Sequence, residues 1–276
     1  MRPIILGQDA PVSDRENPPG LAGFSCPSED DVLYGSVYYA EGKNSPTVVL
    51  CHGFPGAEKN GDLAQVLRQA GFNVVLFSYR GAWGSRGAFS FSGVAVDACN
   101  VVRHILRGKA PWPERFGDRV VLVGFSMGAF AALRASRILG TAVRDVALLA
   151  VWNIGREVKR SLTDPETRSR IDALLLGAGC LAGVSRASLW NELLRNPEEF
   201  DLRFDATACG DKRILMVDAE EDREVLPEES RRPLAEMLRR VGASLTERML
   251  PGDHAFSAQR WSLARLLLNW LEEGGY

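Results

Sequence analysis

The chain has 276 residues, 46% of them hydrophobic and 25% charged, with 33 Lys+Arg against 35 Asp+Glu and a formal net charge of -2. That is the composition of an ordinary globular protein of one or two domains, and it excludes a disordered chain, a collagen-like repeat and a small disulfide scaffold. Without a basic excess there is no electrostatic footprint for nucleic acid or an anionic membrane surface, so small-molecule chemistry is the better expectation.

The opening stretch is Pro-rich (Pro3, Pro11, Pro18, Pro19), and its one basic residue and three consecutive aliphatics do not make the apolar region of a signal peptide. Residues 32–40 alternate apolar and polar before Glu41 and Gly42, which predicts an edge strand and a turn. Residues 47–51, 73–78, 119–125, 143–152 and 213–217 are nearly continuous, β-branched-rich runs, predicted as strands buried on both faces. Segments 61–70, 93–106, 127–139, 228–241 and 258–272 carry apolar residues at helical spacing with charges opposite. The alternation predicts an α/β fold with a mostly parallel central sheet flanked by helices. Residues 153–211 break the rhythm, holding helix-like stretches but no strand over a length too great for an ordinary loop. The expected organisation is a core of residues 1–152 and 212–276 and a helical insertion of residues 153–211, either a cap over the strand ends or an elaboration that only stabilises.

Five cysteines, odd in number and widely spaced without a CxxC pair, suit a reduced compartment and a role as core filler, so a cytoplasmic protein is expected. No apolar run approaches the roughly 18 residues of a membrane span. Only three histidines occur, dispersed and without an HExxH pattern, so no catalytic metal is expected. The glycines at 81, 84 and 87 lack the Lys-Ser/Thr tail of a phosphate-binding loop, and no nucleotide cofactor is expected.

Chemistry concentrates at Gly124-Phe-Ser126-Met-Gly128, a GxSxG pattern whose weight comes from its setting between a strand-like and a helix-like segment. Strand, sharp turn and helix would place Ser126 on a nucleophile elbow, where Gly124, Gly128, Ala129 and Ala132 permit the tight turn and close packing. The competing expectation is a helix-capping serine on an ordinary turn. A serine hydroxyl needs an adjacent base, and the base an orienting acid. His104 lies within a helical pattern and His52 follows a strand as part of a loop. His254, in the Leu-Pro-Gly-Asp-His-Ala-Phe segment at 250–256, is the expected general base. Among the carboxylates after the 213–217 run, Asp222 is favoured as the acid because it lies past the strand end. Asp218 is the alternative, and Glu220, Glu221 and Asp253 suit solvated loop charges.

In this order the motifs resemble the α/β-hydrolase superfamily from about residue 32 to the C-terminal helix. The His-Gly-Phe-Pro-Gly segment at 52–56 resembles the oxyanion-hole loop, the Tyr-Arg-Gly-Ala-Trp-Gly-Ser segment at 79–85 the turn after the fourth strand, and Asp222 and His254 the acid and base loops. The single-glycine loop is more similar to compact hydrolases related to prolyl-oligopeptidase catalytic domains and dienelactone hydrolases than to HGGG esterases. Dienelactone hydrolases carry cysteine at the elbow, and dehalogenases and epoxide hydrolases aspartate, where this chain has Ser126. The resemblance implies an oxyanion hole from the backbone N–H groups of Phe54 and Met127 and an acyl-enzyme on Ser126. The implied function is hydrolysis of an ester, thioester or amide of a small acyl substrate, with acyl transfer or non-catalytic ligand binding as alternatives. Phe54, Trp83 and Trp152 either border the acyl pocket or pack the core.

Overall fold

A computed structural model describes residues 11–276, so Pro3 and the segment read for a targeting signal lie outside the described residues. Eight strands, β1 (Gly20–Ser28), β2 (Asp31–Tyr39), β3 (Ser45–Cys51), β4 (Asn73–Phe77), β5 (Phe116–Phe125), β6 (Asp145–Leu149), β7 (Arg213–Ala219) and β8 (Ser244–Leu250), form one sheet in the order β1-β2-β4-β3-β5-β6-β7-β8. The pairs β1-β2 and β2-β4 are antiparallel and the remaining pairs parallel. Five helices cover the sheet: α1 (Gly61–Gln69), α2 (Val94–Leu106), α3 (Met127–Leu139), α8 (Arg231–Arg240) and α9 (Arg260–Glu273). Between β6 and β7 lie α4 (Ile154–Arg160), α5 (Pro165–Leu175), α6 (Arg186–Arg195) and α7 (Leu202–Ala206).

The strand period of two explains how a continuous apolar run serves two cores. In β3, Val49 and Cys51 face the core under α2, α3 and α8, while Val48 and Leu50 face the core under α1 and α9. Register carries this across the sheet, with Val49 opposite Leu122, Leu122 opposite Val146 and Val146 opposite Ile214, all facing the first core.

Two expectations need correction. Residues 32–40 do not form the edge, because β2 pairs on both sides and the edge belongs to β1. With Gly20, Gly23, Pro27 and two serines, β1 has weak intrinsic β preference, and inward-facing Phe24, Cys26 and Ser28 hold it. The cysteines are all free and four are buried, but Cys180 is exposed and fills no core.

The chain leaves β3 for β4 on one side and returns to β5 on the other, so the sheet's switch point lies between β3 and β5. Open α/β sheets bind ligands beyond the carboxyl ends of strands at such a point. His52, Ser126, Asp222 and His254 all follow carboxyl ends, those of β3, β5, β7 and β8.

Candidate active site

The turn from β5 to α3 is held by what its glycines lack. A side chain at Gly124 would enter the backbone of Gly128, and one at Gly128 would overlap the Cys51 carbonyl, so α3 starts directly against the end of β3. Ser126 sits between them at φ 56 and ψ -119, a conformation disfavoured for a residue with a Cβ and typical of strain kept for function. Its hydroxyl makes no capping hydrogen bond to α3, unlike a helix-capping serine. Met127 opens α3, so its N–H is among the first-turn donors without an acceptor inside the helix.

The loop after β3 comes up against this turn. A side chain at Gly53 would meet the Ser126 Cβ at 3.2 Å and the Phe125 ring at 3.0 Å. His52 is buried, its ring 4.4 Å from that of Tyr79, and its Nδ1 lies 2.7 Å from the Gly53 carbonyl. A carbonyl only accepts, so Nδ1 donates. Burial pushes the imidazole down to about 4, leaving it neutral with Nε2 unpartnered. His52 therefore shapes the loop. Phe54 stacks on Phe91 at 5.4 Å, and Trp83 donates its indole N–H to the Pro55 carbonyl at 2.7 Å. The turn carrying Trp83 is fixed by Arg80 on buried Asp97 (2.7 Å) and by Ser85, whose hydroxyl donates to the Ser78 carbonyl (2.7 Å) and accepts from the Tyr34 N–H (2.9 Å).

From the other side, the loop after β8 brings His254 over the elbow, its ring 5.0 Å from that of Phe125. His254 Nδ1 lies 2.7 Å from Asp222 Oδ2, and Asp222 Oδ1 accepts from the N–H groups of Glu224 (2.8 Å) and Val225 (3.0 Å). An ionised Asp222 only accepts, which puts the proton on Nδ1 and leaves the Nε2 lone pair free to take a proton. Asp218, the alternative acid, stays at the end of β7 and faces Arg231 of α8 at 3.2 Å. Burial, reinforced by Asp222 and opposed by Arg231, pushes it up to about 7. His104 lies on α2, edge-on to Phe24 at 5.7 Å, outside this assembly.

One neighbour escaped the sequence reading. Glu224 Oε2 lies 3.8 Å from His254 Nε2, yet a half-exposed glutamate two residues past an aspartate carries no sequence signal beyond a solvated loop. Trp152 is buried, its ring 5.9 Å from that of Phe91 and its indole N–H unpartnered, whereas Trp83 is 46% exposed.

The insertion leans on two of these loops. A side chain at Gly177 would meet Pro55 at 2.9 Å, the Ala182 N–H donates to the Gly81 carbonyl (2.7 Å), and the Phe89 N–H donates to the Ala182 carbonyl (3.0 Å). On α6, Glu192 accepts from the N–H groups of Phe91 (3.1 Å) and Ser92 (2.9 Å). Among the described residues no group of three or more His, Cys, Asp or Glu is placed to hold a metal, and no helix is long and apolar enough to cross a membrane.

Residues 48–262 match the model of the alpha/beta hydrolase family. An uncharacterized protein of Mycobacterium tuberculosis is 31% identical over 113 residues, spanning 38% of this chain and 37% of that relative. An esterase of Pyrococcus furiosus is similar in structure, with a TM-score of 0.66 and 17% identity over 98% of this chain and 96% of that one. So is Est1E of Butyrivibrio proteoclasticus with bound ferulic acid, with a TM-score of 0.69 and 13% identity over 90% of this chain and 98% of that one. At such identities the structural likeness is one of fold, and it agrees with the eight-stranded, mostly parallel sheet and its order of loops. On a family match covering most of its length, the chain belongs to the alpha/beta hydrolase family.

Proposed function

We propose that the protein is a serine hydrolase that cleaves a carboxylic ester, thioester or amide of a small substrate through an acyl-enzyme on Ser126. The observation that carries this reading is the 2.7 Å contact of His254 Nδ1 with Asp222, held against the elbow residue Phe125. In this mechanism His254 Nε2 takes the Ser126 proton as the hydroxyl oxygen attacks the substrate carbonyl. The backbone N–H groups of Met127 and Phe54 donate to the oxyanion, and the imidazolium returns the proton to the leaving group. Water activated by the same nitrogen then releases the acid. A preorganised oxyanion donor contributes about 2.7 to 4 kcal/mol of barrier lowering.

The insertion serves as a cap over the strand ends in this proposal, with Trp83 at the rim and Trp152 and Phe54 on the aromatic side of the acyl pocket. The esterase and the ferulic-acid complex among the structural neighbours agree with an ester substrate. The test is a panel of nitrophenyl esters of increasing acyl length, acyl-CoA thioesters and aminoacyl anilides, run on wild type and Ser126→Ala. Turnover on at least one class, lost by roughly 10⁴-fold or more in the variant, supports the proposal. Equal rates in the two proteins would place the activity elsewhere.

A further inference from the structure

The loop that presents Asp222 is organised from within by two turns, one where the carboxylate accepts from the N–H groups of Glu224 and Val225 and one where the Leu226 carbonyl accepts from those of Glu229 and Ser230. The stretch between the two turns is held from outside, by the insertion. Glu157 of α4 is fully buried, and its Oε1 accepts from the Leu226 N–H (2.9 Å) and the Ser230 hydroxyl (2.8 Å). Its Oε2 pairs with Arg170 Nη2 of α5 at 2.6 Å, while Arg170 Nη1 donates to the Glu224 carbonyl. The loop is thus gripped on both sides of Val225. Ser230 in turn accepts from the Asn153 N–H (2.9 Å), and the Asn153 side chain joins Asp201 (3.2 Å) and the Leu202 N–H (3.1 Å) near the far end of the insertion.

Burial pushes the Glu157 carboxyl up, with Arg170, Ser230 and the Leu226 N–H opposing. A buried ion pair is weak evidence for stability, because well-packed apolar residues of the same volume commonly hold two helices as firmly. An apolar pair cannot accept one loop amide while holding a carbonyl two residues away. The chemistry of this pair suits orientation of a backbone segment, and that segment carries the acid of the candidate site.

We propose that Glu157 and Arg170 are positioning residues that hold the Asp222 loop in register with His254, which makes the insertion part of the catalytic apparatus as well as its cover. This rests on the reading of Ser126, His254 and Asp222 as the catalytic set. Loosening the grip lets Asp222 drift and the imidazole tilt, and a misplacement of about 1 Å costs on the order of 10²-fold in rate.

The test compares Glu157→Gln, Arg170→Gln and Arg170→Lys with Asp172→Asn, which breaks an exposed pair with Arg186 in the same insertion. Three readouts are taken on folded protein: kcat and KM on a nitrophenyl ester, the rate of fluorophosphonate labelling of Ser126, and the strongly downfield NMR resonance of the His254 Nδ1 proton. Glu157→Gln and Arg170→Gln are expected to lower kcat about 10- to 100-fold at nearly constant KM, slow labelling in step, and weaken the downfield resonance. Arg170→Lys recovers part of the loss, and Asp172→Asn leaves all three readouts unchanged. Wild-type kcat and an intact resonance in folded Glu157→Gln and Arg170→Gln would overturn the proposal. Wild type that takes no label would overturn the catalytic reading instead, and the downfield proton would still report whether the grip orients the Asp222–His254 pair.

Discussion

The sheet and the insertion share one apolar core, which takes in Ile154, Val158, Ile171, Leu189 and Phe200 of the insertion, but the insertion adds buried charge to it. Across β3, β5, β6 and β7 the facing residues Val49, Leu122, Val146 and Ile214 are aliphatic and wholly buried. In and around α4 to α7, three carboxylates are at most 2% exposed, each held by arginine: Glu157 by Arg170, Asp201 by Arg203, and Asp205 by Arg134 and Arg137. Apolar burial is non-directional and indifferent to pH, so it suits a scaffold. Buried charge pairs contribute little net stability but fix geometry, so they suit a segment that must meet several loops at set positions.

The largest expected difference separates two carboxylates on the sheet side of that boundary. Asp222→Asn keeps the shape but favours the wrong imidazole tautomer, and kcat is expected to fall by about 10⁴-fold. Asp218→Asn, facing Arg231, is expected to leave kcat within a few-fold in the same ester assay. Similar losses in both would show that the acid role is shared.

Next in size are two stability changes read by urea unfolding. Leu122→Ala at the sheet centre should cost about 2 to 5 kcal/mol through lost burial and a residual cavity, by the same amount from pH 5 to 8. Asp205→Asn, which removes the charge that Arg134 and Arg137 share, should cost about 1.5 to 3 kcal/mol. An unchanged stability in Asp205→Asn would show that this arginine pairing does not anchor the insertion on α3.

An effect smaller per pH unit, though spread over several, is tied to titration. The folded value of Asp218, raised by burial, lies above its ordinary 3.8 at about 7, so its protonated form is favoured by folding. The stability it contributes is fully present below about pH 4 and declines as pH rises toward 7, by about 1.4 kcal/mol per pH unit. Asp218→Asn should remove that slope from unfolding curves measured between pH 4.5 and 7. A slope unchanged in the variant would assign it to another group. The smallest effect is expected from Asp164→Ala, which removes the N-cap of α5, whose side chain accepts from the Glu166 N–H. The loss is about 1 kcal/mol with kcat unchanged.

How far the molecule can be read from its residues follows the same division. The runs that became β3 to β7 are legible because burial on both faces demands continuous apolar residues. The elbow is legible because its glycines are sterically obligatory. Loop position alone favours Asp222 over Asp218 in the sequence, and the structure turns one toward His254 and the other toward Arg231. What stayed hidden depends on tertiary partners. β1 has neither alternation nor β preference over its first half and exists by pairing with β2. Glu157 sits among Arg156, Lys159 and Arg160, where nothing marks it as buried, and its partner Arg170 lies thirteen residues further along the chain. Periodicity reports burial of apolar side chains and is blind to a carboxylate buried against a distant arginine.

The central claim is that Ser126 is a nucleophile activated by His254. It is tested most directly by mass-spectrometric mapping of fluorophosphonate adducts on folded wild type, Ser126→Ala and His254→Ala. The expected result is one adduct in wild type, on Ser126, absent from Ser126→Ala and formed far more slowly in His254→Ala. No adduct on wild type, or labelling on Ser126 at the same rate without His254, would contradict it.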